Sequence, residues 1–238
     1  MIETTKQNWR KISKLGRNVG YEGKVTLTDE GLQIQFWDPA DTIYVDSLFK
    51  KEMFDTYNPE FDTWKVDYSQ FDKMFGRYKK KENVRVYPNG ENSRLNFESD
   101  RKSFKVPQID LAGARDQTLD LALSDSFDID IGQLKEIVDD CGYVAQSLVI
   151  AFDEEIQVKA GEKASGSYQN TITDNTTGNT YNVHLKLDLL EKAISAFKKL
   201  GDECRVETEK DKAFKLVFMN NNIEAEAVIA PMMEDYDE

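Results

Sequence analysis

The sequence predicts an α+β protein of two similar halves, each a duplicated unit of one helix followed by antiparallel strands. Two observations predict it. Four segments carry apolar residues at helical spacing, and each is followed by short alternating runs separated by turn residues. This helix-then-strands pattern recurs along the 238 residues, which marks an internal repeat. Amphipathic helices outnumbered by strands have the faces of sheets to pack against.

The first helix spans residues 5–20 and places Trp9, Ile12, Gly16 and Val19 on one stripe. Strands at 24–28 and 32–37 follow, around the turn Asp29-Glu30-Gly31. The second helix, 68–81, gathers Phe71, Met74, Phe75 and Tyr78, and strands at 84–87 and 94–97 flank Pro88-Asn89-Gly90. The third, 131–146, gathers Leu134, Ile137, Val138 and Cys141 before strands at 148–152 and 156–160. The fourth, 185–200, gathers Leu187, Leu190, Ala193, Ile194 and Phe197 before strands at 204–208, 214–219 and 224–229. The helices fall in pairs, which sets domain limits of 1–109 and 127–238. Between them, residues 110–126 alternate Leu119, Leu121 and Leu123 with Asp120, Ala122 and Ser124. That stretch reads as an extended connector, longer than an ordinary loop and therefore functional.

Composition narrows the chemistry. A hydrophobic content of 39% with 11% aromatic residues supports a packed core and argues against a disordered acidic chain. One histidine and two cysteines exclude most zinc sites, and any Ser-His-Asp triad would have to use His184. His184 sits in an alternating run without a nearby acid or cysteine and reads as structural. No phosphate-binding glycine loop is present, and the sequon at Asn175-Thr176-Thr177 reads as a loop. No metal or cofactor is expected. There is no run of about 18 apolar residues, no secretory leader is visible, and Cys141 and Cys204 fit a reducing compartment, so the expected location is intracellular.

The net charge of −13, from 31 basic and 44 acidic residues, argues at first against nucleic acid as a partner. The charge is segregated, however. Residues 5–20 hold five basic residues and no acid, which leaves −18 on the remainder, and residues 234–238 form an acidic tail. Lys6, Arg10, Lys14 and Arg17 make one stripe opposite the apolar face of the first helix, with Lys11 beside it. Lys73, Arg77, Lys80 and Lys81 do the same on the second. The fourth offers Lys192 and Lys199, diluted by Asp188, while the third carries Asp139 on its outer face. Charge on one outer helix face is ordinary solvation. Two one-signed basic faces in an acidic chain form a surface suited to phosphate, since screening over roughly 8 Å lets local charge decide.

Several stretches resemble the proliferating cell nuclear antigen (PCNA) family of sliding clamps, most closely its archaeal members. Leu27-Thr-Asp-Glu-Gly-Leu32 leading to Trp37-Asp38-Pro39-Ala40 is similar to that family's first-domain strand, turn and loop. Phe104-Lys-Val-Pro-Gln-Ile-Asp110 is similar to the strand entering its connector, and Phe127-Asp-Ile-Asp-Ile131 to the start of its second domain. Val228-Ile229-Ala230-Pro231 resembles the closing strand. The resemblance covers nearly the whole chain in order.

It implies a DNA clamp fold whose subunits close into a trimeric ring around duplex DNA, with helices lining the hole. Such a ring is not an enzyme. It acts as a processivity factor that tethers DNA polymerase, the clamp loader and other replication and repair proteins. The ten basic residues named on the first, second and fourth helices, with Lys11, would then meet DNA. The implied partner groove comprises Trp37, Asp41, Thr42, Val45, Leu121, Leu123, Val228, Ala230 and Pro231. The implied subunit contact pairs a strand near 103–110 with one near 168–173 of a neighbour. Trp37 stands where the family usually has Met, Asp41 where it often has His, Val228 where an aromatic is common and Ala213 where Pro is frequent, so the implied partner specificity is altered. The competing readings are a subunit of a heterotrimeric ring, a carboxylate-based hydrolase, and an acidic DNA mimic, the last opposed by the basic helices.

Overall fold

The structure, a computed structural model, describes residues 1–20, 22–59, 63–89, 93–110, 119, 121–162 and 166–232. The acidic tail and most of the expected connector (111–118 and 120) lie outside the described residues. The first half runs β1 (Ile2–Thr5), α1 (Lys6–Val19), β2 (Glu22–Leu27), β3 (Gly31–Trp37), β4 (Ile43–Lys50), β5 (Thr56–Tyr57), β6 (Thr63–Asp67), α2 (Tyr68–Gly76), β7 (Asn83–Asn89), β8 (Arg94–Glu98) and β9 (Ser103–Pro107). The second runs β10 (Asp125–Asp130), α3 (Ile131–Cys141), β11 (Ser147–Phe152), β12 (Glu155–Glu162), β13 (Gly166–Asp174), β14 (Tyr181–Lys186), α4 (Leu187–Phe197), β15 (Glu203–Thr208), β16 (Phe214–Met219) and β17 (Ile223–Ile229). Without the two-residue β5, the chain reads four times as strand, helix and three strands.

Sheet pairing reveals an exchange inside each half. The strand preceding α1 joins the strands that follow α2, in the order β1-β7-β8-β9. The strand preceding α2 joins those that follow α1, in the order β4-β3-β2-β6. The second half repeats this, with β10-β15-β16-β17 and β13-β12-β11-β14. The pairs β1–β7, β10–β15, β11–β14, β2–β3 and β2–β6 all run antiparallel, as the turn-punctuated sequence predicts. The chain forms two compact units, Met1–Leu119 with Met219–Glu226, and Asp120–Phe218 with Ala227–Glu238.

In the first unit, Trp9 is the keystone of the core. Its ring stacks on Phe75 at 5.1 Å and 7°, meets Phe71 edge-on, and donates its Nε1–H to the Val84 carbonyl at 2.8 Å. Phe71 and Phe75 in turn meet Phe97 of β8. The indole thus buries a large apolar area while its one polar group is satisfied. In the second unit Phe152 stacks on Tyr181 at 4.6 Å. Helix α3 packs on α4 as α1 packs on α2.

The helical stripes hold, but three helices end sooner than the periodicity predicts. Helix α2 stops at Gly76, not at residue 81. Past Gly76 the Arg77 and Tyr78 N–H groups bond three residues back, to the Met74 and Phe75 carbonyls, and a separate turn follows in which the Glu82 carboxylate accepts from the Lys79 N–H at 2.7 Å while the Glu82 N–H bonds the Lys79 carbonyl. Lys80 and Lys81 therefore sit beyond the helix. Helix α3 stops at Cys141, before Gly142, and Leu185 and Lys186 belong to β14 and not to α4. Among the described residues no helix is long and apolar enough to cross a membrane. Burial pushes the thiols of Cys141 and Cys204 up, to about 11 and about 12, so both are unreactive packing residues.

Helix α1 presents Gly16 to the first residue of α2, Tyr68. A Cβ there would lie 2.3 Å from the ring of Tyr68, which is fully buried. Alanine forms helix better than glycine by about 1 kcal/mol, but overpacking a core costs about 1–3 kcal/mol, so the clash wins. Gly16→Ala is expected to lower the melting temperature in thermal denaturation. A variant as stable as the wild type would mean that the helices separate without loss.

Candidate nucleic-acid face and partner groove

Helix α1 starts where the Thr5 hydroxyl accepts from the Asn8 N–H, and its outer side carries the five predicted cations. Lys6, Arg10, Lys11 and Lys14 are half-buried and Arg17 is exposed. They are not equivalent. Lys6 donates to the Tyr78 carbonyl at 2.5 Å, tying the start of α1 to the turn after α2. Arg10 and Arg17 both bond the carboxylate of Asp72, at 3.2 and 2.6 Å. Helix α2 is capped by Asp67, which accepts from Ser69 and Gln70, and it exposes Lys73. Arg77, Lys80 and Lys81 are exposed in the residues that follow it.

The helices of the second unit carry mixed charge, with Asp188 and Glu191 exposed beside Lys192 and Lys198 on and just after α4. Helix α3, capped by Asp130, spends its Lys135 on Asp139 at 2.6 Å and exposes Glu136. Lys192 is exposed on α4 and Lys199 just beyond it. Cations therefore dominate the outer side of the α1–α2 pair alone.

The nine residues assigned to a partner groove divide by exposure. Val45 and Val228 are 0% and 5% exposed, so both are packed inside their own units. Alternation explains it: each belongs to a strand whose inward positions are apolar. Asp41 and Ala230 are exposed, and Trp37, Thr42, Leu121, Leu123 and Pro231 are half-exposed. Trp37 stacks obliquely on Tyr44 at 4.9 Å.

The loop after β3 owes its shape to Asp38, which is buried at 4% exposure. Its carboxylate accepts from the Thr42 and Ile43 N–H groups at 2.6 and 2.7 Å and from the Thr42 hydroxyl at 3.0 Å. The loop then turns through Asp41, which takes a left-handed conformation at φ 56°, one that Asp tolerates. In the second unit a cavity of about 370 Å³ is lined by His184, Lys210, Lys212, Pro231 and Met232 among others. The Met232 N–H bonds the His184 carbonyl at 2.8 Å, so the chain after β17 runs along β14. Sequence reasoning found Pro231 but neither the cavity nor Asp38 and Asp72.

The end of the connector is held by Asp125, 1% exposed. It accepts from Asn179 at 2.8 Å, the Tyr181 hydroxyl at 2.9 Å and the Ser124 hydroxyl at 3.0 Å. The Leu121 carbonyl accepts from Lys215, which also pairs with Glu207 at 2.7 Å. Asp38, Asp72 and Asp125 are the buried carboxylates among the described residues, and each is committed to such a junction.

Burial pushes the Asp125 carboxyl up, but the bonds from Asn179, Thr177, Tyr181 and Ser124 outweigh it and hold the group below its ordinary value of 3.8. Its contribution to stability is thus present above pH 3.8 and is lost as pH falls through the lower, folded value. Asp125→Ala is expected to destabilise the chain by about 1–3 kcal/mol for each buried partner left unpaired. It is also expected to flatten the pH dependence of unfolding below 3.8. An unchanged acid profile in denaturant titrations at several pH values would remove Asp125 from this role.

No protein-family model matches the chain. Among curated proteins it is similar to the DNA polymerase sliding clamp of Nanoarchaeum equitans, 25% identical over 79% of this chain and 76% of that protein. It is also similar to that of Thermococcus onnurineus, 24% identical over 90% of each. Among solved structures, A. fulgidus PCNA with the C-terminal region of FEN-1 bound aligns over 98% of both chains at 19% identity, with a TM-score of 0.85. A chain of the PCNA2–PCNA3 complex from Sulfolobus tokodaii aligns at 17% identity over 97% of this chain and 98% of that one, with a TM-score of 0.81. The resemblance read in the sequence therefore holds at full length: the chain has the fold of PCNA, and its curated relatives are archaeal DNA polymerase sliding clamps.

Proposed function

We propose that this chain is a DNA sliding clamp, a non-enzymatic ring subunit that encircles duplex DNA, serves as a processivity factor and docks replication and repair proteins. The observation that carries the reading is helix α1, which bears five cations and no acid in a chain of −13, within a fold shared with PCNA. Cations without base-reading geometry attract phosphate by counterion release and leave the ring free to move along the duplex. Lys11, Lys14, Lys73, Arg77, Lys80 and Lys81 are the main candidates, with Arg10 and Arg17 contributing what Asp72 leaves, and Lys192 and Lys199 adding to the second unit. The work is intracellular and DNA-associated, cytoplasmic or nucleoid in an archaeal cell.

Ring closure has a physical basis in the sheet order. Strands β9 and β13 each end a sheet, so each leaves a row of backbone groups on its outer side. Joining β9 of one subunit to β13 of the next satisfies both edges, and a head-to-tail contact of this kind closes when the rotation is one third of a turn. The domain limits 1–109 and 127–238 and the connector between them follow the family. The remaining exposed groove residues, Trp37, Asp41, Thr42, Leu121, Leu123, Ala230 and Pro231, are read as the docking site for a partner segment, by likeness to the A. fulgidus protein with FEN-1 bound. Val45 and Val228 support that site from within.

A homotrimer is expected to scatter light as a particle of about 82 kDa, three times 27.4 kDa. A monomer that assembles only with a different chain would favour the heterotrimer. Once loaded, the ring is expected to stay on closed circular duplex and to run off linear duplex with free ends. Charge reversal at Lys73 and Arg77 is expected to weaken loading and polymerase stimulation. Equal retention on circular and linear duplex would refute the clamp reading.

A further inference from the structure

The charge of the candidate DNA face is trimmed by an acid that the basic stripe conceals. Asp72 lies on α2 and is 3% exposed, yet both its oxygens are occupied from α1. Oδ1 accepts from Arg10 Nε at 3.2 Å and from the Ser13 hydroxyl at 3.1 Å, and Oδ2 accepts from Arg17 Nη1 at 2.6 Å. Arg10, Ser13 and Arg17 stand at i, i+3 and i+7, one row of α1 turned toward α2. The two arginine side chains nevertheless remain 38% and 52% exposed. Each guanidinium is therefore held by one of its N–H groups and keeps the others available, since the fork carries five.

We propose that Asp72 is a positioning residue for DNA, aiming Arg10 and Arg17 outward from the α1–α2 seam and cancelling one of their two charges. The inference rests on the reading of this face as the one that meets duplex DNA. Burial by itself disfavours the Asp72 anion, and the bonds from Arg17 and Arg10 outweigh it, so the carboxylate stays charged in the folded chain. A tie between helices does not require a charge; a serine or an amide bonds equally well to a seam. A buried carboxylate facing two arginines does something further. It leaves the three residues with a net charge of +1, so that they guide a phosphate backbone without the grip of two free arginines.

The test uses the full-length protein, a salt series and a fluorescent linear duplex, whose free ends let the ring thread on and off so that binding is read at equilibrium, with thermal denaturation in parallel. Asp72→Asn is expected to melt at a lower temperature and yet to bind duplex more tightly. Its plot of log affinity against log salt is expected to steepen by about 0.9, the value for one added phosphate contact. A purely structural tie moves both readouts in the same direction, so weaker or unchanged DNA binding in a folded Asp72→Asn protein would overturn the proposal. The double variant Asp72→Asn/Arg17→Gln restores the net charge of the cluster and removes the repulsion between bare arginines, which covers a single variant that does not fold. Its expected slope is that of the wild type, and a slope shallower by about 0.9 overturns the proposal. Wild-type protein that binds duplex without salt dependence would overturn the DNA-face reading and this inference with it. Normal wild-type binding with an unaltered Asp72→Asn slope overturns the role of Asp72 alone.

Discussion

Everything in this chain depends on giving four short helices something to lie on. The helices run 14, 9, 11 and 11 residues, at or below the length of about 12–15 at which an isolated helix is marginal in water. Packing must supply their stability. The exchange of strands within each half meets that need, because the strand entering one helix is bonded into the sheet that follows the other. Neither helix can then leave without breaking a sheet. Trp9 shows the result in one side chain, stacked on Phe75 of the other helix and hydrogen-bonded to Val84 of the exchanged sheet. With stability drawn from the inner faces, the outer faces are free to carry charge.

The inner faces were the legible part. Trp9, Phe71, Ile137 and Leu190 sit where a 3.6-residue period puts them, and all are buried. The exchange was not legible, because which strand bonds to which leaves no local pattern in the chain. Strand β1 was missed for a related reason: its four residues run directly into α1 with no turn residue to mark the border. The turn after α2 is closed by Glu82, an acid that reads as one more surface charge until its bond to Lys79 is seen. At the site, the row of cations is readable from spacing, whereas nothing in the spacing singles out Asp72, between Phe71 and Lys73, as buried. Only the contact with α1 distinguishes it. Val45 and Val228 illustrate the converse, since likeness to a family assigns a position and the pleat decides which way it faces.

The three buried acids give the excess of negative charge a second meaning. Most of the described acidic residues are exposed, but Asp38, Asp72 and Asp125 each organise a segment that carries candidate functional residues. Asp38 shapes the loop of Asp41 and Thr42, Asp72 holds Arg10 and Arg17, and Asp125 fastens the end of the connector. In each case the acid serves as an acceptor for several donors at once, which apolar packing cannot do. The candidate contact residues are thereby positioned by acids that are themselves buried.

The open borders at β9 and β13 also bear on how this protein is to be handled. An unpaired strand is a template that any extended chain can join, and Lys105 and Pro107 on β9 make that strand selective where β13 has no such residue among its described positions. If pairing of these borders belongs to the folded state, then folding and association share one equilibrium. A melting temperature measured for this chain is then a function of protomer concentration, and dilution alone is a denaturing condition.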